Sequence, residues 1–260
     1  MYFSRMISVI LLGAGNVASH LYKVFHNSDT ITVTQWYNRH IDKISTFKNE
    51  VEITDDLSAL KRADIYIIAV SDDAIATVSE ALPFQDRFVV HTSGTASLYD
   101  IDAKHRRGVF YPLQTFTKGA EVDFSNIPLC IEGLKKSDFK LLKRLAEGIG
   151  SKDYKVSTEQ RKRLHIAAVF ANNFTNQMYR IAHEITEANQ IEFEILKPLI
   201  LETAKKIQTM SPYMAQTGPA VRGDKKTAKQ HLNLIENPQH KAIYKLLTES
   251  INDTHGRKKL

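Results

Sequence analysis

The sequence contains almost no cysteine, since Cys130 is the only one among 260 residues. A single thiol excludes an intramolecular disulfide, and with it the small secreted scaffolds that disulfides stabilise. Cys130 lies in the apolar run 127–131. We therefore expect a buried thiol rather than a nucleophile.

Long apolar runs are also missing. No stretch approaches the roughly 20 residues that cross a bilayer, and the first residues do not resemble a signal peptide. We therefore expect a cytoplasmic protein with no membrane partner. Metal-ligand spacings, the Walker phosphate loop and the Gly-x-Ser-x-Gly nucleophile turn are absent too, which argues against metal hydrolases, P-loop enzymes and serine hydrolases.

The net charge of +6 is unevenly distributed, because residues 1–155 carry equal numbers of basic and acidic side chains. The excess belongs to the second part, including Arg257, Lys258 and Lys259, where we expect a disordered basic end. A basic second domain favours a small anionic substrate. Nucleic acid is the alternative partner, but no nucleic-acid module and no interleaving of aromatic and basic residues accompanies the charge.

Residues 7–155 alternate short apolar segments with helical or loop segments, which is typical of a parallel sheet built from βα units. From residue 156 the apolar spacing becomes three, four or seven, which predicts helices. We expect an α/β protein with an N-terminal Rossmann NADP-binding domain over residues 1–155. An all-α substrate and dimerisation domain follows over residues 156–260, after a joint at residues 148–153.

Four helix starts are predicted in the second domain. Ser157 and Gln160 form a capping box before a helix that extends to about Ala188. A second helical pattern spans residues 193–210, where Pro198 implies a kink or a new start. Asp224 and Asn237 are N-cap signals for two final helices.

A glycine turn lies between the first apolar segment and the first helical pattern, in the sequence Gly13-Ala14-Gly15-Asn16-Val17-Ala18. This order suits a pyrophosphate: one glycine permits the tight turn, the next lets the backbone approach a phosphate, and a small residue allows close packing. The helix start offers free N–H groups to the anion. We assign Gly13, Gly15, Asn16 and Val17 to the cofactor; the alternative is a plain βα turn.

The second strand, residues 31–37, ends in Asn38, Arg39 and His40 without a carboxylate. NAD sites place an acidic residue at this position, whereas an arginine suits the 2′-phosphate of NADP. We therefore predict NADP(H), with Asn38 and Arg39 at its ribose phosphate. The alternative is an arginine that is merely solvated at a strand end.

Further candidates follow later strands, because ligands of open parallel sheets bind at the carboxyl ends. Val70 and Ser71 end a strand predicted over residues 63–70 and precede a helix to Ala81, which residues 71–73 can cap; we expect them near the cofactor. His91 ends another strand and is a catalytic candidate, or else a core-edge histidine bonded to backbone. Tyr111 is placed at the substrate, as proton donor or packing group.

The pattern resembles the 6-phosphogluconate dehydrogenase-like superfamily, which includes ketopantoate reductase, pyrroline-5-carboxylate reductase and the β-hydroxyacid dehydrogenases. Residues 111–116, residues 217–224 and His231 look more closely like a bacterial group of Rossmann-like proteins with a C-terminal domain of unknown function. This resemblance implies NADP binding, an oxidoreductase activity and a homodimer formed through the helical domain.

One family feature is missing. The β-hydroxyacid dehydrogenases and ketopantoate reductase use a lysine on the long helix, four residues before an asparagine. Asn172 and Asn173 match the asparagine, but Ala168 and Val169 occupy the lysine positions. The missing lysine argues against alcohol or ketone chemistry of that type. It favours reduction of an imine, or the use of a different residue as general acid.

The long helix carries a polar stripe. His165, Asn172, Asn176 and Tyr179 share one face at 3.6 residues per turn. We name His165 as candidate general acid because imidazole titrates near neutrality, Asn172 as a catalytic partner and Asn176 as a substrate contact. The polar stripe is equally well explained as the solvent-exposed face of an amphipathic helix.

The loop 217–224 has a tight path set by two glycines and a proline. Arg222 suits a carboxylate or phosphate in bidentate fashion, or else pairs with Asp224. The sequence thus predicts an NADP(H)-dependent oxidoreductase that acts on a small anionic oxo acid or imine. The alternative is a non-catalytic NADP-binding sensor.

Overall fold

The computed structural model describes residues 5–255, so the basic residues Arg257 to Lys259 lie outside the described range. The chain divides into two compact units at Val169/Phe170. This division falls after the predicted boundary at residues 155/156. The first half of the long helix therefore belongs to the sheet unit.

An eight-stranded sheet forms the first unit, with the strand order β3-β2-β1-β4-β5-β6-β7-β8. Seven residues or fewer make each strand: β1 Ile7–Leu12, β2 Ile31–Tyr37, β3 Ile53–Thr54, β4 Ile65–Ile68, β5 Phe88–His91, β6 Arg106–Pro112, β7 Leu129–Gly133 and β8 Asp153–Lys155. All neighbours pair in parallel except β6 and β7, which pair antiparallel. The strand order reverses between β1 and β4, which is where such sheets bind ligands.

Ten helical segments accompany the strands in the described residues, apart from the 3-10 segments, of which Ile41–Phe47 is the longest. The first unit has α1 Asn16–His26, α2 Ile75–Ala81, α3 Lys136–Glu147 and α4 Thr158–Ala168. A π-helical segment, Val169–Phe174, leads to α5 Thr175–Ala188, and then come α6 Lys197–Thr209, α7 Pro212–Ala215, α8 Lys225–Leu234 and α9 Pro238–His255. Among these helices none is both long enough and apolar enough to cross a lipid bilayer.

Two apolar cores cover the two faces of the sheet. Val9 and Leu11 of β1 belong to one core and Ile10 and Leu12 to the other, as the period-two alternation of a strand requires. Both faces of β1 are thus covered, which explains its continuous apolar sequence. Cys130 is buried as predicted, and burial raises the pKa of its thiol.

Most predicted elements are confirmed. The Ser157–Gln160 capping box starts α4, Asp224 caps α8 through the Thr227 amide, and a new helix begins one residue before Pro198. Two details differ. The strand predicted over residues 63–70 is the shorter β4, and the Ser71 side chain makes no capping hydrogen bond.

The π-helical segment corrects the prediction of one polar stripe on the long helix. That prediction assumed 3.6 residues per turn from His165 to Tyr179, but i→i+5 hydrogen bonding widens the turn between Val169 and Phe174. The offset of seven residues between His165 and Asn172 therefore does not place them on one face.

In the described part of the second unit, residues 170–255, there are helices but no buried apolar core. Among the described residues after Ile149, no apolar side chain is buried, and Thr186 is the one buried side chain of this unit. Large apolar side chains are instead exposed, including Phe170 at 63%, Leu199 at 63% and Leu246 at 67%. A helical domain needs a covered apolar face for stability.

Candidate functional site

The glycine turn after β1 has the geometry of a phosphate cradle. Gly13 has φ +117°, and a Cβ atom there would lie 2.2 Å from the Ala69 carbonyl oxygen. Its amide donates to the Tyr37 carbonyl at 2.9 Å, and its own carbonyl accepts from the Trp36 indole at 2.6 Å. Only glycine fits this position, and the turn is held by β2 and by the end of β4.

Gly15 presents the start of α1 to open space, while the Asn16 side-chain amide donates to the Phe116 carbonyl at 2.8 Å. A Cβ atom on Gly15 would have nothing within 4 Å, and both residues are exposed. The first turn of α1 contains no acidic residue, so its partial positive charge is available to an anion. Buried Ala18 provides the close packing expected of the small residue in the motif. These residues fit a dinucleotide pyrophosphate.

Arg39 lies at the carboxyl end of β2, next to Asn38. The Asn38 amide donates to the Thr54 carbonyl at 3.1 Å, and its side-chain amide donates to the His40 carbonyl at 2.7 Å. The Arg39 side chain is exposed. Burial is the main cause of the raised pKa of Tyr37, and the nearby positive charge of Arg39 lowers it in part. An exposed guanidinium at this strand end suits a ribose phosphate.

The loop after β4 faces the same edge. Val70 lies beside the glycine turn, since its Cγ1 atom would be 3.0 Å from a Cβ on Gly13. Ser71 is exposed and precedes Asp72, whose carboxylate accepts a hydrogen bond from the Thr95 hydroxyl. The loops after β4 and β5 are therefore tied together.

His91 is fully buried at the end of β5, and both of its ring nitrogens are bonded within its own loop. The Ser93 amide donates to Nδ1 at 3.1 Å, and Nε2 lies 3.2 Å from the Ser97 carbonyl oxygen. Because a carbonyl only accepts, Nε2 carries the proton. Burial, assisted by the positive charge of Arg161, lowers the pKa of His91 to about 4.

Tyr111 and His165 form a polar pair at the carboxyl end of β6. The Tyr111 hydroxyl lies 3.3 Å from His165 Nδ1, although the two residues are 54 positions apart in the sequence. Burial is the main cause that raises the pKa of Tyr111 to about 12. The phenol is therefore protonated at neutral pH and is able to donate to Nδ1.

Gly94 leaves room for this pair. A Cβ atom at Gly94 would lie 2.6 Å from His165 Nδ1 and 2.9 Å from the Tyr111 hydroxyl. Any other residue would force the imidazole or the phenol to move.

A buried arginine holds the loop that contains Gly94. Arg161, on α4 four residues before His165, has a side chain that is 1% exposed. Its Nε donates to the Ser93 carbonyl at 3.1 Å and another guanidinium nitrogen donates to the Ala96 carbonyl. The third donates to Glu132 Oε2 at 2.6 Å.

Glu132 completes this network from β7. It accepts from the Thr158 amide at 2.9 Å and from the Thr158 hydroxyl at 2.9 Å, at the start of α4. A carboxylate at a helix N-terminus is favourable. The start of α4, the β5 loop and β7 are thereby joined through one ion pair.

Sequence reasoning missed Gly94, Glu132 and Arg161. A charged residue in a helical pattern is normally interpreted as exposed, and nothing in the sequence marks Arg161 as buried. The available signal was its spacing of four from His165, which places both on one face of α4.

The other predicted site residues belong to the second unit. Asn172, Asn176 and Arg222 are exposed there. Asp224 does not serve as an ion-pair partner of Arg222 but caps α8, with the Thr227 amide at 3.0 Å and the Thr227 hydroxyl at 2.7 Å. These two hydrogen bonds are the main cause of the lowered pKa of Asp224.

The fold and the glycine turn define a dinucleotide-binding protein of the Rossmann type, and sequence comparison agrees. Residues 8–94 match the family described as NADP oxidoreductase, coenzyme F420-dependent, and residues 127–251 match the domain of unknown function DUF2520. No match was found among curated proteins.

Solved structures extend the comparison over the whole chain. A Bacteroides fragilis protein, a candidate NADP oxidoreductase, is 35% identical over 95% of this chain and 98% of its own, with a TM-score of 0.84. The chain therefore belongs to the same family of NADP oxidoreductases, which joins this Rossmann domain to a DUF2520 domain. The predicted fold, family and cofactor class are therefore confirmed, while the substrate is not identified by these comparisons.

Two reductases share the fold alone. Imine reductase from a Pseudomonas species is 12% identical over 97% of this chain and 95% of its own, with a TM-score of 0.70. Pyrroline-5-carboxylate reductase from Streptococcus pyogenes is 13% identical over 98% of both chains, with a TM-score of 0.66.

Proposed function

We propose that this protein binds NADP(H) on the turn at Gly13 and Gly15 and transfers a hydride to or from a small anionic oxo acid or imine. The pairing of Tyr111 with His165 in a fold with this turn carries the proposal. The pair offers a proton donor at the carboxyl edge of the sheet, where the cofactor turn also lies.

The cofactor is held by the first two strand ends. The N–H groups at the start of α1, beside Gly15, would hold the pyrophosphate. Arg39 would hold the 2′-phosphate through its planar guanidinium, which would favour NADPH over NADH. Val70 and Ser71 border the cofactor on the β4 side.

When bound, NADPH would supply a hydride for the carbon of a C=N or C=O group, and the nitrogen or oxygen of that group must gain a proton. His165 holds this proton on Nε2 while Nδ1 accepts from Tyr111. Tyr111 thereby selects the tautomer of His165 that is able to donate. In the reverse direction the same nitrogen accepts the proton.

His91 has a positioning role in this proposal, in place of the catalytic role expected from the sequence. Both of its nitrogens are bonded to backbone, and its pKa of about 4 keeps the imidazole neutral. It shapes the loop that continues to Gly94.

An imine is the favoured substrate class because Ala168 and Val169 replace the lysine that would polarise a ketone. Asn172 remains a predicted catalytic partner, and Asn176 remains a predicted contact of the substrate. Arg222 remains the predicted clamp for its anionic group.

We further propose that the protein is a homodimer through its helical domain. The second unit exposes large apolar side chains and buries almost none. A second copy of the same unit supplies a matching apolar surface, as in an isologous interface.

The test measures NADPH oxidation at 340 nm across a panel of cyclic imines, oxo acids and aldehydes. We expect turnover with an anionic imine, and a loss in His165→Ala at unchanged NADPH affinity. NADPH binding without turnover on any compound would favour the non-catalytic sensor. Unchanged turnover in His165→Ala would remove His165 from the mechanism.

A further inference from the structure

A cavity opens at the opposite edge of the sheet from the glycine turn. It has a volume of about 350 Å³, within the range of small-molecule sites. Its charged lining consists of Arg5, Arg62, Arg87, Arg106, Asp64 and Asp86. Arg87 immediately precedes β5 and Arg106 begins β6, so the cavity lies at the amino ends of the strands. The six residues of β1 separate the two edges by about 20 Å.

Two of the four guanidinium groups already have carboxylate partners. Arg106 pairs with Asp138, a carboxylate that is 1% exposed, and Arg5 lies 3.4 Å from Asp64. Asp64 also accepts from the Ser8 amide at 2.9 Å and the Ser8 hydroxyl at 2.8 Å. These pairs fix Arg106 and Asp64 in the cavity wall.

Arg62 and Arg87 have no such partner. Within residues 5–255 no carboxylate lies within ion-pair distance of either guanidinium, and Asp86 makes no ion pair either. The lining thus carries four positive and two negative charges. A fifth guanidinium, that of Arg144, donates to the Arg5 carbonyl at 3.1 Å beside the cavity.

We infer that this cavity binds a small molecule bearing a phosphate group. Several guanidinium groups around one concave site suit a tetrahedral dianion, because its oxygens accept from more than one arginine fork. A carboxylate, with two oxygens in one plane, is satisfied by a single fork. Once the two ion pairs are set aside, Arg62 and Arg87 exceed the unpaired Asp86 by one positive charge, and this excess attracts the anion.

Isothermal titration with inorganic pyrophosphate, at constant ionic strength, tests this site. We compare the unmodified protein with the double variant Arg62→Gln/Arg87→Gln and with the matched control Arg39→Gln/Arg163→Gln. The control removes the same charge outside the cavity, including the residue proposed for the cofactor phosphate. We expect binding that weakens at least tenfold in the first variant and is retained in the control.

Two results would overturn the inference. One is the absence of pyrophosphate binding to the unmodified protein. The other is equal affinity in the first variant and in the control, because the anion would then occupy the cofactor turn, which neither variant changes, or respond only to net charge. Circular dichroism of both variants verifies that they are folded.

Discussion

Gly94 determines how closely Tyr111 and His165 approach each other. We expect Gly94→Ala to lower turnover about 100-fold, because a misplacement of about 1 Å at a reacting group has effects of this size. NADPH affinity should change little, since Gly94 lies outside the glycine turn. Gly133→Ala is the matched control, as its Cβ would meet an atom only at 3.5 Å. Equal turnover in both variants would show that the pair is not catalytic.

His91 makes stability depend on pH. The unfolded chain binds a proton on this imidazole near pH 6.5, whereas the folded chain does so only near its pKa of about 4. The lowered pKa of His91 therefore contributes roughly 3 kcal/mol to the free energy of unfolding. This contribution is present above pH 6.5 and is lost as the pH falls towards 4.

His91→Gln should therefore flatten the dependence of the urea midpoint on pH between 6.5 and 4. Some slope should remain, because burial also lowers the pKa of His105. An unchanged slope in the variant would contradict the account of His91.

At the residue scale, the residues that could be predicted from the sequence are those whose role depends on the local backbone. Gly13 was identifiable because a strand-to-helix turn of this kind admits no side chain, and Arg39 because it ends an apolar strand. The contact of Tyr111 with His165 was not predictable. It depends on the packing of α4 against the sheet, across 54 residues of intervening chain.

Among the elements, α4 shows both a feature that the sequence predicts and a feature that it does not. Its start was predicted from Ser157 and Gln160, because a capping box is a local pattern. The π-helical segment after Ala168 has no residue signature, so the period of the helix beyond it was wrong. The antiparallel pairing of β6 with β7 was likewise hidden, because strand direction depends on the connection rather than on the strand sequence.

Arg161 connects α4 to two other elements, and its removal tests that role. Arg161→Met leaves Glu132 without its buried partner and two carbonyl oxygens unpaired, so we expect a loss of about 3–5 kcal/mol in the free energy of unfolding. Arg161→Lys should rescue little, because an ammonium group lacks the planar fork.

Urea denaturation measures this effect. Arg163→Met is the control because Arg163 is an exposed arginine on the same helix. A loss in Arg161→Met no larger than in the control would show that the network contributes nothing.

For the molecule as a whole, the uncovered apolar side chains of the second unit predict self-association. Light scattering after size exclusion should give twice the 29.5 kDa mass of one chain. Leu199→Glu/Leu246→Glu should shift the mass towards one chain, since burying unpaired carboxylates is costly. The control Tyr99→Glu/Leu134→Glu places the same charges on exposed apolar residues of the first unit. A monomeric unmodified protein would contradict the proposal.

The proposed cofactor binding depends above all on the glycine turn and on Arg39, and a comparison of binding constants tests both. Calorimetric titration of NADPH and NADH should give tighter binding of NADPH. Arg39→Ala should weaken NADPH binding by about 10–100-fold, the value of a charge-assisted hydrogen bond, and leave NADH binding nearly unchanged. Equal losses for both cofactors, or no binding of either by the unmodified protein, would contradict the account.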